Sequence, residues 1–285
     1  MVSKSKSNTY NKNLLKSFDE NGYVILDLID KKKLNEVKKD LYVMILDSLK
    51  SNASEFVSKN KKKLNNKNFI LNDGLIYLEK KNHKFLSKIY DVIAKTTSFL
   101  NLICDERIVK LINYLLRRKK NSNLYINSNS IRMDMPKDKE FYYGWHRDNN
   151  TNIKNSNFLQ LWMPIISNIT KDIGGLRILE KSHKVNMKTS ETENEKKIQQ
   201  EKLPMRTNYD AIVYGRENFK EKYITLTLGK CIVFKNCLMH KGGLNRSKKV
   251  RYAANCFYHD TYLLDNKFAN LDFKDKNIKV KKTSV

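Results

Sequence analysis

Apolar residues at Leu34, Val37, Leu41, Ile45 and Leu49 recur every three or four positions, which places them on one face of a helix and predicts a helix over 34–49. The same period predicts amphipathic helices over 83–97 and 105–118, and a short one over 14–21. After that first helix, Gly22 leads into Tyr23-Val24-Ile25-Leu26, an apolar, β-branched run that predicts a strand. From about Leu124 the helical stripe gives way to short apolar runs separated by turns. Strands are expected over 124–133, 158–166, 176–179, 223–228, 231–234 and 252–258. Pro164 falls late in the second of these, where its missing N–H is tolerated. The Lys/Asn/Ser-rich stretch 50–68 predicts a loop, and 184–203, charged and nearly free of apolar residues, predicts an inserted loop or lid. No internal repeat interrupts this order.

Helices first and many short antiparallel strands afterwards predict an α+β chain whose second half is a β-sandwich or jelly roll. The expected boundaries are a disordered tail over 1–13, one domain over 14–264, and a basic tail over 265–285. Within the domain, 14–120 is helix-rich, 121–264 forms the β core, and 184–222 is the lid insertion.

Composition narrows the class. Across 285 residues, 40% are hydrophobic and 30% charged, enough apolar surface for a packed core and too much for a disordered chain. No apolar run reaches membrane-spanning length, and the polar N-terminal stretch lacks the apolar segment of a secretory signal, so a cytoplasmic location is expected. The net charge of +26 comes almost wholly from lysines interspersed with asparagines. Nucleic-acid surfaces concentrate arginine and aromatic residues instead, so the charge reads as a general surface bias and nucleic acid is not the expected partner. Cys104, Cys231, Cys237 and Cys256 form no CxxC pair and read as buried, reduced thiols.

Candidate chemistry starts at Gly144-Trp145-His146-Arg147-Asp148. Side chains two apart on an extended segment share a face, so His146 and Asp148 can approach one ion. HxD alone is a weak signal and needs a third ligand. His240 supplies it, following the strand run Cys231-Ile232-Val233-Phe234 and preceding Lys241-Gly242-Gly243. Two histidines and one carboxylate make the facial triad of non-haem Fe(II) oxygenases, which leaves positions for a co-substrate and O2. Arg251, just downstream, offers a planar fork for a co-substrate carboxylate. Asn129 and Arg132 lie on the strand before HxD, and Asn129 is taken as a further co-substrate contact. His-Arg-Asp also occurs in the protein-kinase catalytic loop, but here Asn149 and Ile153 stand where that loop needs Leu and Asn, and no Gly-rich loop or DFG appears.

These residues carry a resemblance to the phytanoyl-CoA dioxygenase (PhyH-like) family over roughly 18–260. It rests on Asn21-Gly22-Tyr23-Val24-Ile25-Leu26, Leu161-Trp162-Met163-Pro164-Ile165 and the run Gly174-Gly175-Leu176-Arg177-Ile178-Leu179-Glu180-Lys181-Ser182-His183-Lys184. It continues through Gly229-Lys230-Cys231-Ile232-Val233-Phe234, His240-Lys241-Gly242-Gly243-Leu244-Asn245-Arg246-Ser247 and Arg251. The resemblance implies a double-stranded β-helix behind N-terminal helices, with iron on His146, Asp148 and His240. It also implies 2-oxoglutarate on Arg251 with Trp162 lining its site. Glu180-Lys181 departs from the family's Pro-Gly, and Lys230 from its Asp, both at turns. Asp148 argues for hydroxylation or another oxidation, since related halogenases lack the carboxylate.

The expected function is therefore a 2-oxoglutarate-dependent hydroxylase of a small organic metabolite, with a basic lid that suits an anionic one. A binding protein that lost turnover and a nucleic-acid-oxidising dioxygenase are the competing readings. His183 is expected to cap a loop rather than bind metal, and His83 and His259 to be structural or surface residues.

Overall fold

The computed structural model describes residues 10–118, 124–138, 143–148, 158–185 and 218–260. Eight α-helices and eight strands lie in this part: α1 (Lys12–Asn21), α2 (Lys31–Asn52), α3 (Ser54–Lys59), α4 (Lys67–Phe69), α5 (Leu75–Lys81), α6 (His83–Ile93), α7 (Thr97–Ile103) and α8 (Glu106–Leu115), with β1 (Tyr23–Asp27) between the first two helices. Then follow β2 (Leu124–Asp134), β3 (Phe158–Pro164), β4 (Leu176–Leu179), β5 (Glu221–Ile224), β6 (Lys230–Lys235), β7 (His240–Gly242) and β8 (Arg251–Asp260). All five predicted residues of the stripe on α2 are buried. Asp30 starts that helix by accepting from the backbone N–H groups of Lys32 and Lys33.

Several expectations need correction. Helix α1 begins at Lys12, capped by Asn11, inside the stretch assigned to a disordered tail. The stretch 50–68 is largely short helices, because Phe56, Val57 and Leu64 pack against the core and override its polar composition. Residues 67–81 turn helical through a wide π-turn at Ile70–Gly74 that buries Ile70 and Leu71. The predicted helix over 83–97 stops at Ile93, and Thr96 caps a separate helix after it. The expected lid runs too far at its end, since Glu221 and Lys222 pair with Leu179 and Ile178. Most of that insertion and the basic tail lie outside the described residues.

Two antiparallel sheets face each other, in the orders β1-β6-β3-β8-β2 and β5-β4-β7. They do not close into a barrel; the architecture is the jelly-roll, double-stranded β-helix type with helices packed outside. Alternation along the strands sorts the side chains. Leu159, Leu161, Met163, Cys231, Val233, Ala254 and Cys256 join the helices in one core. Trp162, Ile232, Phe234 and Ala253 point the other way and meet Leu176, Ile178 and Ile224 of the small sheet.

Cys231 and Cys256 are buried, and burial pushes the Cys231 thiol up to about 12. Cys104 is exposed and Cys237 half-buried, so the buried-thiol expectation holds for only two of the four. His259 is fully enclosed on β8 and its ring stacks on Phe158 at 4.6 Å. Burial lowers its pKa from 6.5 to about 4. The folded state then binds fewer protons than the unfolded chain below pH 6.5, so stability present at neutral pH is lost as pH falls toward 4. The loss should reach about 3 kcal/mol. Denaturant unfolding from pH 7 to 4 should show this slope, and His259→Phe should flatten it; an unchanged slope in the variant would remove His259 as the cause.

Candidate active site

His146 and His240 are brought together by backbone before any ion is considered. Residue 146 pairs with 240 as an isolated antiparallel bridge beside β7, each N–H donating to the other's carbonyl at 3.0 Å. Directly opposed residues in such a pair project to one side, and the two rings sit with centroids 4.4 Å apart. Asp148, two residues on, shares the face, and its own N–H is fixed by the Asn236 carbonyl at 3.1 Å. Trp145 projects oppositely and anchors the segment against Leu179, Met239 and Phe219. Arg147 also turns outward, donating to the carbonyls of Ser182 and Val185.

The tautomers follow from these contacts. Nδ1 of His146 lies 2.8 Å from the Gly144 carbonyl, and Nδ1 of His240 lies 2.9 Å from that of Leu238. A carbonyl only accepts, so both Nδ1 atoms carry hydrogen, and in the neutral rings both Nε2 atoms present lone pairs. His240 Nε2 is 3.2 Å from Asp148 Oδ2, and His146 Nε2 is 3.9 Å from Oδ1. One ligand atom from each of the three lies within 4.8 Å of the others. Donors at about 2.1 Å around one octahedral ion are about 3 Å apart, so this set of two imidazoles and a carboxylate fits a divalent ion with little adjustment. The edge-on ring of Phe234, 4.9 Å from that of His240, walls the site from the large sheet.

Arg251 starts β8, directly opposite Asp134 on β2. Asp134 Oδ2 accepts from Nε at 3.0 Å and lies 2.9 Å from Nη2. Nη1 donates to the carbonyls of Gly174 and Gly243. The other Asp134 oxygen accepts from Arg132 at 2.8 Å. Burial pushes the Asp134 carboxyl up, but the guanidinium groups of Arg251 and Arg132 more than offset it and hold it below the usual carboxylate range. Gly174 has φ of 91°, and a Cβ there would lie 2.4 Å from the Gly243 carbonyl and 2.6 Å from Arg251 Nη1, so glycine is what lets this loop reach the arginine. A Cβ at Gly242 would come 3.3 Å from Nη2. Gly242 lies two residues beyond His240 on β7, so the guanidinium lies over the strand face that carries His240.

Of the residues singled out from sequence, the structure gathers His146, Asp148 and His240, sets Arg251 beside Gly242, and turns Trp162 into the space between the sheets. Asn129 is a correction. Alternation along β2 puts it on the side of Ile131 and Met133, toward the helices, where its amide donates to the Ala94 carbonyl at 2.9 Å. Arg132 and Asp134 face inward instead. Asp134 was missed, although Arg132-Met133-Asp134 has the charge alternation of an inward strand face. His183 is a structural cap, with Nε2 2.9 Å from the Asp19 carbonyl at the end of α1. Lys181 takes the left-handed conformation, φ 66°, at the turn that follows β4.

A model of the phytanoyl-CoA dioxygenase (PhyH) family matches residues 18–253. No curated protein matches the chain. Among solved structures, EctD from S. alaskensis with 2-oxoglutarate and 5-hydroxyectoine is 17% identical with a TM-score of 0.59, over 90% of this chain and 79% of that one. The epimerase SnoN in complex with Fe3+, alpha ketoglutarate and nogalamycin RO is 14% identical with a TM-score of 0.56, over 93% and 90%. HygX from Streptomyces hygroscopicus with nickel and 2-oxoglutarate bound is 12% identical with a TM-score of 0.52, over 88% of each. At these identities the likeness is one of fold.

Proposed function

The chain belongs to the phytanoyl-CoA dioxygenase family, and from that premise we propose that it is an Fe(II)- and 2-oxoglutarate-dependent dioxygenase that hydroxylates a small organic molecule. The observation that carries this reading is the convergence of one ligand atom each from His146, Asp148 and His240 within 4.8 Å of one another, with the Arg251 guanidinium beside Gly242 on the same strand as His240. In this reading those three side chains hold the iron and Arg251 receives the distal carboxylate of 2-oxoglutarate. The iron, with 2-oxoglutarate and O2, supplies the oxidising power, and succinate and CO2 leave as co-products.

The chain's own residues do the rest. The Gly144 and Leu238 carbonyls keep both imidazoles in the ligating tautomer, and Asp148 places one negative charge beside them. Asp134 and two loop carbonyls fix the Arg251 guanidinium, so a carboxylate meets a donor already in place. Trp162, Ile232 and Phe234 supply apolar wall that excludes water.

The whole described chain is read as one catalytic domain, with the insertion between β4 and β5 as its cover. Both ends of that insertion flank HxD: Val185 accepts from Arg147, and Phe219 packs in the cluster containing Trp145. Its slight excess of basic over acidic residues would suit an anionic substrate. Among the described residues no helix is long and apolar enough to cross a membrane.

The test is succinate formation from 2-oxoglutarate with Fe(II) and O2, comparing the wild type with His146→Ala. Iron-dependent succinate that disappears in the variant supports the assignment. No succinate, with neither iron nor 2-oxoglutarate bound, would overturn it.

A further inference from the structure

Two amides meet in the space between the sheets, beside the candidate iron site. Gln160 lies on β3 between Leu159 and Leu161, which face the helical core, so its side chain points to the opposite, inner face. It is 4% exposed. Its register neighbours are Phe234 on β6 and Phe257 on β8, and Phe234 is the residue whose ring meets His240. Gln160 Nε2 donates to Asn255 Oδ1 at 2.6 Å. Gln160 Oε1 is enclosed and has no hydrogen-bond partner among the described residues.

Buried polar atoms are almost always satisfied, so an acceptor left over at this position calls for a function. Asn255 gives a second, independent sign. It is the one position of β8 that is not buried, although it sits in mid-strand in mid-sheet. Asn255 therefore keeps accessible surface, and its alternation with Ala254 and Cys256, which face the helices, puts its side chain on the inner face. Together the pair presents one acceptor, on Gln160, and one donor group, on Asn255. Exchanging oxygen and nitrogen in both amides would still leave one of each. The interior guanidinium groups of Arg132 and Arg251 share Asp134, and in the reading above Arg251 also takes the co-substrate, so the amide pair is a separate, uncharged recognition element.

We propose that the Gln160–Asn255 pair recognises the substrate through a neutral group that both donates and accepts a hydrogen bond, a hydroxyl or a carboxamide, held beside the iron site. This inference rests on the iron and 2-oxoglutarate reading above. It deepens that reading by naming a substrate class that the basic insertion alone would not suggest. A site built to hydrogen-bond such a group rejects analogues that lack it, because its own polar atoms are then stranded.

The experiment uses the full chain loaded with Fe(II) at saturating 2-oxoglutarate. Cyclohexanecarboxamide and cyclohexanol are titrated against cyclohexanecarboxylate and methylcyclohexane, and the concentration giving half-maximal stimulation of succinate formation is recorded for each. The carboxamide or the alcohol is expected to act at a concentration at least about tenfold lower than the carboxylate or the hydrocarbon. That preference ratio should fall toward one in Gln160→Met and in Asn255→Leu, each checked for folding by circular dichroism. Reading a ratio within each variant makes the result independent of its overall activity. A carboxylate as effective as the carboxamide in the wild type, or a ratio that persists in both folded variants, overturns the proposal. The anaerobic visible absorption of the ferrous enzyme with 2-oxoglutarate separates the two levels. If the wild type shows no such band, the co-substrate reading and this inference fall together. If the band is present and no neutral polar compound is preferred, the inference falls alone.

Discussion

Asp148→Ala is expected to lose both iron retention and succinate formation, by more than the 10–100-fold that outer-shell partners of a metal site cost. The carboxylate is the one anion in the ligand set, and two neutral imidazoles cannot replace its charge. The change should leave the fold in place, because the backbone of this segment is held independently: Asp148 N–H donates to the Asn236 carbonyl, and residue 146 pairs with 240. Iron stoichiometry after anaerobic loading, measured beside the far-ultraviolet spectrum, checks this. Asp148→Asn should lie between the two, keeping an oxygen donor without its charge. Full iron content and unchanged succinate in a folded Asp148→Ala protein would remove the carboxylate from the site.

Asp134→Ala should have the largest effect on stability. Its carboxylate is shared by Arg251, which is buried, and Arg132, which like Asp134 is partly buried on the inner face. Removing one member of a buried ion pair leaves charge without compensation and costs about 3–5 kcal/mol. Arg251 would also keep only its Nη1 contacts to two carbonyls and lose the side that fixes Nε and Nη2. The expected result is a lower urea midpoint at unchanged slope, with a raised KM for 2-oxoglutarate in protein that still folds. A loss below about 1 kcal/mol would mean that the triad behaves as a surface salt bridge does.

The helices and strands were legible in the sequence wherever one periodicity held over enough residues. The stripe on α2 and the run Leu176–Leu179 needed no tertiary information. The stretch 50–68 was misread because its few apolar residues, Phe56, Val57 and Leu64, are too sparse to show a period and are recruited by the core. The metal-site candidates could be found because HxD fixes two side chains on one face and His240 follows a clear strand. Asn129 was misplaced because which strand face turns inward is settled only by pairing: it shares the side of Ile131 and Met133, while Arg132 and Asp134 take the other. Asp134, Gln160 and Asn255 stayed hidden because their significance lies in cross-strand pairing. Asp134 matters by facing Arg251, and Gln160 by reaching Asn255 across 95 residues of chain.

The position of β8 in the large sheet carries a consequence for how the chain is made. It is the last of the eight strands in sequence, yet it lies between β3 and β2. During synthesis both of those strands must wait with an open edge until Arg251–Asp260 has emerged, and unpaired edges invite association with other chains. Sealing is also remote at the helical layer, where Asn72 Oδ1 accepts from the Val250 N–H just ahead of β8. Such long-range closure makes slow folding and dependence on chaperones the natural companions of this topology.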